Sequence, residues 1–248
     1  DILSQVARVD VGTGLPPEEL KAISGDYDAL MIRSGATVTA EIIQGADKLR
    51  MIGRAGVGVD NVDVPAATKR GVLVVNSPEG NTIAAAEQAL ALMLALSRHV
   101  PHAHASTMAG GWDRKKYVGN ELYKKKLGVV GLGKIGSHVA RVAKAMGMDV
   151  MAYDPYVSAE RAQQMQVRLL PLPALFAEAD FVSLHLPRTP DTENLVNAEL
   201  LKTMKSTARI VNCARGGIID EAALAEAVEN GTIGGAALDV YAKEPLEA

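Results

Sequence analysis

The chain has 248 residues, 48% hydrophobic and 22% charged, a balance that suits a globular protein with one large or two modest cores and makes two domains the default. A formal net charge of −3 offers no basic surface for nucleic acid or an anionic membrane, so charge points to a small-molecule partner. One cysteine, Cys213, excludes an intramolecular disulfide; no apolar run reaches the ~18 residues of a bilayer span, and no basic-then-apolar leader opens the chain, so a cytoplasmic location is expected.

The chain opens inside what reads as a helix. The alternation VARVDV at 6–11 has strand period, Pro16 and Pro17 open a short helix, and YDALMIRSG at 27–35 reads as a strand closing on Arg33, Ser34 and Gly35. The unit repeats with a helix near 40–45, a strand at 48–56, a helix at 64–70 and a strand at 71–78. Short β-branched runs alternating with helices predict a parallel sheet covered by helices, with ligands beyond the carboxyl ends of its strands. That rule selects segments 33–35, 54–61 and 76–82.

A long helix follows over 81–100, apolar nearly all round, which predicts burial between larger bodies as a spacer between domains and a subunit contact. Pro101 breaks or restarts it, and after Gly110 and Gly111 a charged loop at 112–126 leads on. The stretch KLGVVGLGKIGSHVARVAKAMGMDVMAYD at 126–154 reads as a buried strand, a glycine turn, an amphipathic helix and a second strand ending on Asp154. Gly131 permits the tight turn, Gly133 lets a pyrophosphate approach the backbone, and Gly136 lets helix and strand pack closely, while the free N–H groups at the helix start face the phosphates. Asp154 can accept from both ribose hydroxyls and would repel a 2′-phosphate, so NAD is expected rather than NADP. Weaker βα alternation continues to a last strand at 233–241.

Three strand ends of this second half carry polar groups where a nicotinamide belongs: 185–189, 213–217 and 239–244. Arg215 follows the apolar run RIVN and precedes two glycines, so its guanidinium can bind a carboxylate bidentately and polarise a carbonyl; the plain alternative is an ion pair with Asp220. Asp239 ends an alanine-rich strand and needs a partner, for which the nicotinamide amide or ring nitrogen is a candidate. Glu244, taken alone, reads as a solvated glutamate. His99, His102 and His104 cluster without an acid or thiolate and read as a helix end rather than a metal site. His138 reads as a partly exposed helix residue, His185 as support for the cofactor wall, and Cys213 as a small apolar contact rather than an activated thiolate.

The segments GRAGVGVDNVD, NSPEGNTIAAAE, GLGKIG with YDP, NCARGGIIDE and ALDVYAKEP resemble the D-isomer-specific 2-hydroxyacid dehydrogenase family over essentially the whole chain. The resemblance implies an α/β architecture of two doubly wound parallel-sheet domains: a flavodoxin-like substrate domain over 1–79, lacking its first strand and its return segment, and a Rossmann NAD-binding domain over 80–248. It implies that Arg215 binds substrate carboxylate and carbonyl, and that Glu244 orients a catalytic histidine and raises its pKa. Val57, Lys134, Ile135, Asp154, Leu186, Cys213, Ala214 and Asp239 match cofactor-contact positions. Arg33 and Ser34 match positions near the substrate, joined by the amides of Val57 and Gly58. The expected substrate is a phosphorylated 2-hydroxyacid, 3-phospho-D-glycerate, oxidised in the first step of serine biosynthesis. Arg33, helped by Arg54 or by a neighbouring subunit's Arg114 or Lys115, would meet its phosphate, in a homodimer or higher assembly formed through the NAD-binding domain. The family's general acid/base histidine is expected a few dozen residues past the Glu244–Pro245 pair, beyond Ala248, so these 248 residues are expected to bind NAD without useful turnover. Other readings of the same resemblance are a dehydrogenase for another D-2-hydroxyacid and an NAD-sensing, corepressor-like binding protein.

Overall fold

A computed structural model describes residues 2–246, which divide into two compact units between Asn81 and Thr82. In the first unit, after one 3-10 turn at Leu3–Gln5, residues 6–16 have no regular structure. The strand expected at 6–11 does not form: Val6 and Val11 are 84% and 85% exposed, and with no neighbouring strand paired to it the segment has neither a ladder nor a buried face to hold it extended. Helix α1 (Pro17–Ser24) starts on a proline, whose missing N–H costs nothing in a first turn. Then come β1 (Ala29–Ile32), α2 (Ala40–Gly45), β2 (Met51–Arg54), α3 (Val64–Arg70) and β3 (Leu73–Asn76).

The three strands are parallel in the order β1-β2-β3, with Leu30, Ile52 and Val74 in one row and Met31, Gly53 and Val75 in the next. The period of two sends these rows to opposite faces. Ile32 and Ile52 face a core built with Leu20 of α1, Ile42 and Ile43 of α2 and Ala67 of α3. On the other face Met31 and Leu73 are 58% and 59% exposed, so within this unit the helices cover one side of the sheet only.

The second unit begins with α4 (Thr82–Ser97) and α5 (Val100–Met108). The single helix expected over 81–100 is thus two, and the break falls at His99, in the left-handed region at φ 54, rather than at Pro101. Pro101 has no N–H for the carbonyl of Ser97, four residues earlier, which instead accepts from the Asn120 amide at 2.8 Å. Nor is α4 buried all round. Ala86, Ala89, Leu90, Met93 and Ser97 form its buried stripe, while Ile83 and Leu94 lie 51% and 41% exposed.

The remaining elements are β4 (Lys126–Val130), α6 (Lys134–Ala145), β5 (Asp149–Tyr153), α7 (Ala159–Gln164), β6 (Arg168–Leu169), α8 (Leu172–Glu178), β7 (Phe181–Leu184), α9 (Ala198–Lys202), β8 (Arg209–Asn212), α10 (Glu221–Glu229) and β9 (Gly235–Leu238). They build an all-parallel sheet in the order β6-β5-β4-β7-β8-β9, a Rossmann-type arrangement. Leu127, Val129 and Val150 pack towards α4 and α6, whereas Val130, Met151, Val182 and Ile210 pack towards α8, α9 and α10. With both faces covered, β4, β7 and β8 are almost wholly buried, which is why their sequences read as unbroken apolar runs. The strand order reverses between β4 and β7, and that switch point opens a crevice at their carboxyl ends.

The two faces of the first unit's sheet respond differently to truncation. Ile52→Ala, at a position with 0% exposure, is expected to lower stability by about 2–5 kcal/mol, and Met31→Ala by under about 1 kcal/mol, in chemical denaturation of this chain.

Candidate functional site

At the carboxyl end of β4 the chain turns at Gly131, φ 96, whose amide donates to the Tyr153 carbonyl at 2.8 Å. A Cβ on Gly136 would sit 1.9 Å from the Gly131 carbonyl oxygen, so no other residue lets α6 leave this turn so close to the strand. Gly133 differs: an added Cβ would meet nothing within 4 Å, so its open face is turned away from protein. Side chains of Thr39, Asp63, Ser158, Asn197 and Asp220 cap α2, α3, α7, α9 and α10, but α6 has only Gly133 at its N-cap and no side-chain cap. Its first-turn N–H groups therefore stand ready for an anion. Asp154, partly buried beyond β5, is held by two amides: Leu132 donates to Oδ2 at 2.7 Å and Tyr156 to Oδ1 at 2.9 Å. Its carboxylate keeps lone pairs for ribose hydroxyls. An open-faced glycine, an uncapped helix start and a fixed acid together fit a dinucleotide. Lys134, exposed, and Ile135, partly buried, open α6 beside Gly133.

At the other half of the crevice, Leu186 follows β7, and Cys213, Ala214 and Arg215 follow β8. Asn212, buried at the end of β8, braces this loop: its Nδ2 donates to the Arg215 carbonyl at 2.9 Å and its Oδ1 accepts from the Ala214 amide at 3.0 Å. Arg215 Nη1 donates to the Ala214 carbonyl at 2.6 Å. Asp220 makes no ion pair with it and instead caps α10 through the Ala223 amide. A Cβ on Gly216 would lie 1.8 Å from the Tyr241 carbonyl oxygen, and the Tyr241 amide donates to Glu244 Oε1 at 3.0 Å. Tyr241 thus lies between the loop of Arg215 and the carboxylate of Glu244, which is itself exposed. A Cβ on Gly217 would crowd the Arg188 guanidinium at 3.0 Å, and that guanidinium pairs with Glu193 at 2.6 Å.

Asp239, at the end of β9, is exposed rather than buried in alanines, and Gln88 of α4 donates to its Oδ1 at 3.0 Å. The partner its charge was expected to require is therefore a glutamine from a helix over 150 residues earlier in the chain, a pairing no local pattern reveals. The brace from Asn212 was equally unread, though a polar residue ending the run RIV was its trace in the sequence.

Two titratable groups here are held in their neutral forms. Burial pulls the His185 imidazole down to about 4, and its Nε2 shares a 2.9 Å hydrogen bond with Ser183 Oγ. Burial, reinforced by the charge of Asp239, pushes the Cys213 thiol up to about 12, which makes it a poor nucleophile. Among the described residues no group of three or more His, Cys, Asp or Glu is placed to hold a metal ion.

In the first unit, Arg33 and Ser34 are exposed just past β1. Asn61 bridges their loop by donating to the carbonyls of Arg33, at 2.8 Å, and Ala36. Past β2, the Arg54 guanidinium folds over Gly56, and its Nε is buried without a partner. Asn76 Nδ2 donates to the Val57 carbonyl at 2.6 Å. Among the described residues the amides of Val57 and Gly58 donate no hydrogen bond, which leaves them to an anion.

The sheet order and the crevice at its switch point define a dinucleotide-binding α/β domain. Residues 90–248 match the family described as D-isomer specific 2-hydroxyacid dehydrogenase, NAD binding domain, and the chain belongs to that family. It is 64% identical over 246 residues to D-3-phosphoglycerate dehydrogenase of Synechocystis sp., a match that covers 99% of this chain and 44% of that protein. The chain therefore spans less than half the length of that relative. A solved structure of a Thermus thermophilus protein superposes with a TM-score of 0.91 at 37% identity, covering 99% of this chain and 79% of that one. D-lactate dehydrogenase of Aquifex aeolicus, solved with NAD and lactic acid, gives a TM-score of 0.82 at 30% identity, covering 92% and 67%. NAD is the cofactor of the second unit.

A histidine whose folded pKa lies below its unfolded value binds its proton more readily in the unfolded chain, so stability is full above about pH 7 and falls as pH drops from about 6.5 towards 4. For His185 the loss by pH 5 is expected to be on the order of 2 kcal/mol. Denaturant titrations at pH 7 and pH 5 should show this drop in the native chain and a markedly smaller one in His185→Gln.

Proposed function

We propose that these residues form the NAD- and substrate-binding part of an enzyme that oxidises 3-phospho-D-glycerate to 3-phosphohydroxypyruvate, the entry step to serine. The observation that carries this reading is the braced loop of Arg215: a guanidinium on a strand end, tied by Asn212 and set across Tyr241 from Glu244. The name of the 64% identical relative supports the choice of substrate.

Bound NAD supplies the acceptor for the hydride leaving C2 of the substrate. Arg215 grips the substrate carboxylate with its planar fork and stabilises negative charge on the C2 oxygen as the carbonyl forms. Glu244 orients the histidine that takes the hydroxyl proton. Of the five histidines of the chain, His99, His102 and His104 belong to α5 and its cap, His138 to α6, and His185, pulled down to about 4 and engaged with Ser183, is a weak base, so none is assigned this role. Arg33, Ser34 and the free amides of Val57 and Gly58 meet the substrate's anionic groups, and Arg54, with a buried Nε that lacks a partner, adds positive charge beside them. Leu186, Cys213, Ala214 and Asp239 line the nicotinamide side, and Gly131, Gly133, Lys134, Ile135, Gly136 and Asp154 the adenosine diphosphate side.

The enzyme acts as a homodimer or higher assembly in the cytoplasm. Support for association comes from large apolar side chains left open in the second unit, with Val100, Met108, Trp112 and Val118 exposed by 53%, 75%, 79% and 72%. No helix among the described residues is long and apolar enough to cross a membrane.

In the whole protein, NADH formation from 3-phospho-D-glycerate tests the reading directly. Arg215→Lys should cut turnover by about 10²- to 10³-fold and leave the Kd for NAD within about twofold, because a point charge cannot replace the fork. Arg33→Ala should raise KM for 3-phospho-D-glycerate and leave D-glycerate and D-lactate untouched. Normal turnover in the lysine variant, or a preference for an unphosphorylated acid, would overturn the assignment.

A further inference from the structure

Outside the crevice, α6 and α7 enclose a groove of about 620 Å³. Lys134, His138, Arg141 and Lys144 line one wall, and Arg161 with Met165 the other; no acidic side chain lines it. The first three stand at i, i+4 and i+7 on one helix face, and the row through Lys144 is about 15 Å long at 1.5 Å per residue. Glu160, the acid of α7, is engaged with Ser158 at the first turn of its own helix.

The cations differ in how they are held. Lys144 Nζ donates to the Met165 carbonyl and to Gln166 Oε1, each at 2.8 Å, which ties the end of α7 to α6 and closes one end of the groove. Arg141 Nη2 lies 3.1 Å from His138 Nδ1, so the imidazole can accept while the rest of the fork stays available. The Arg161 side chain has no hydrogen bond or ion pair with any described residue. Arg141 and Lys144, at i and i+3, are like charges that repel unless an anion sits beside them. Two guanidinium forks favour phosphate over a single point anion, and a groove of this volume blocked at one end by Lys144 suits a small molecule rather than a polymer running through.

We propose that the α6–α7 groove is a second anion site, distinct from the dinucleotide position, for a small molecule carrying several phosphates in a chain. Because Lys134 opens the helix whose N-terminus faces the dinucleotide, an anion in the groove weakens the positive field there, and the two ligands oppose each other by the same factor in both directions.

Isothermal titration of the full-length protein with sodium tripolyphosphate, with and without saturating NAD, tests this. The expected result is one site per chain that persists with NAD bound, weakened a few-fold, with the NAD affinity weakened equally when tripolyphosphate is saturating. Arg141→Glu combined with Arg161→Glu should lose at least tenfold in tripolyphosphate affinity and keep NAD binding, with an unchanged melting profile showing that the fold survives. A parallel titration with ATP separates sources: tighter binding than tripolyphosphate assigns the site to a nucleotide, equal or weaker binding to the phosphate chain alone. The proposal is overturned by no binding at millimolar tripolyphosphate, by its complete loss when NAD saturates, which places the anion in the dinucleotide crevice, or by unaltered binding in the double variant. The NAD titration reports on the dinucleotide reading by itself, so failure of either is seen separately.

Discussion

The contact on which the second unit depends is the one between Gly131 and Gly136, where a Cβ would come within 1.9 Å of a carbonyl oxygen. That closeness sets α6 against β4, and the packing of Val139, Ala140 and Ala143 against Leu127, Val129 and the stripe of α4 follows from it. It also fixes where the uncapped N-terminus of α6 points. A capping serine or aspartate would have satisfied the helix at the expense of the ligand, so local stability is given up at the position where binding needs free N–H groups. Asp154 is placed by the same turn, since its carboxylate is held by the amide of Leu132 between the glycines.

The opposite half of the crevice is organised largely through backbone groups. Asn212 grips the loop of Arg215 at two points, and Tyr241 presents a carbonyl to Gly216 and an amide to Glu244. Arg215 and Glu244 therefore do not need to touch each other to be set in register. Any side chain at position 216 displaces the Tyr241 segment and the Glu244 carboxylate with it, so the first glycine after Arg215 bears on a residue nearly 30 positions further along the chain. On the sheet itself, the Asp239 amide donates to the Asn212 carbonyl at 2.9 Å, and its carboxylate accepts from Gln88.

The βαβ stretch at 126–154 was legible because each of its constraints is local: turn, helix and terminal acid follow one another in sequence, and period alone separates them. The strand ending at Asn212 and the loop carrying Arg215 were legible for the same reason. What stayed hidden came from partners distant in sequence. Gln88 meeting Asp239, Asn120 replacing the bond that Pro101 cannot make to Ser97, and Tyr241 facing Gly216 are tertiary facts with no periodic signature. The alternation at 6–11 misled in the opposite sense, since a period of two is a property of side chains and becomes a strand only where a neighbouring strand supplies the ladder. For α4, composition suggested burial on all sides, yet only the stripe through Ala86, Ala89, Leu90 and Met93 is buried, because alanine is small enough to sit on either surface of a helix.

The electrostatics of the crevice narrow what its residues can do. His185 and Cys213, the two groups best placed by chemistry to move a proton or attack a carbonyl near neutral pH, are both held neutral by burial, near 4 and near 12. A ring pulled down to about 4 is a weak base, and its Nε2 is already shared with Ser183, so it reads as a wall. A thiol that keeps its proton is likewise a wall. Arg215 and Glu244 are set on either side of Tyr241, so a guanidinium and a carboxylate share this edge while backbone contacts hold them apart.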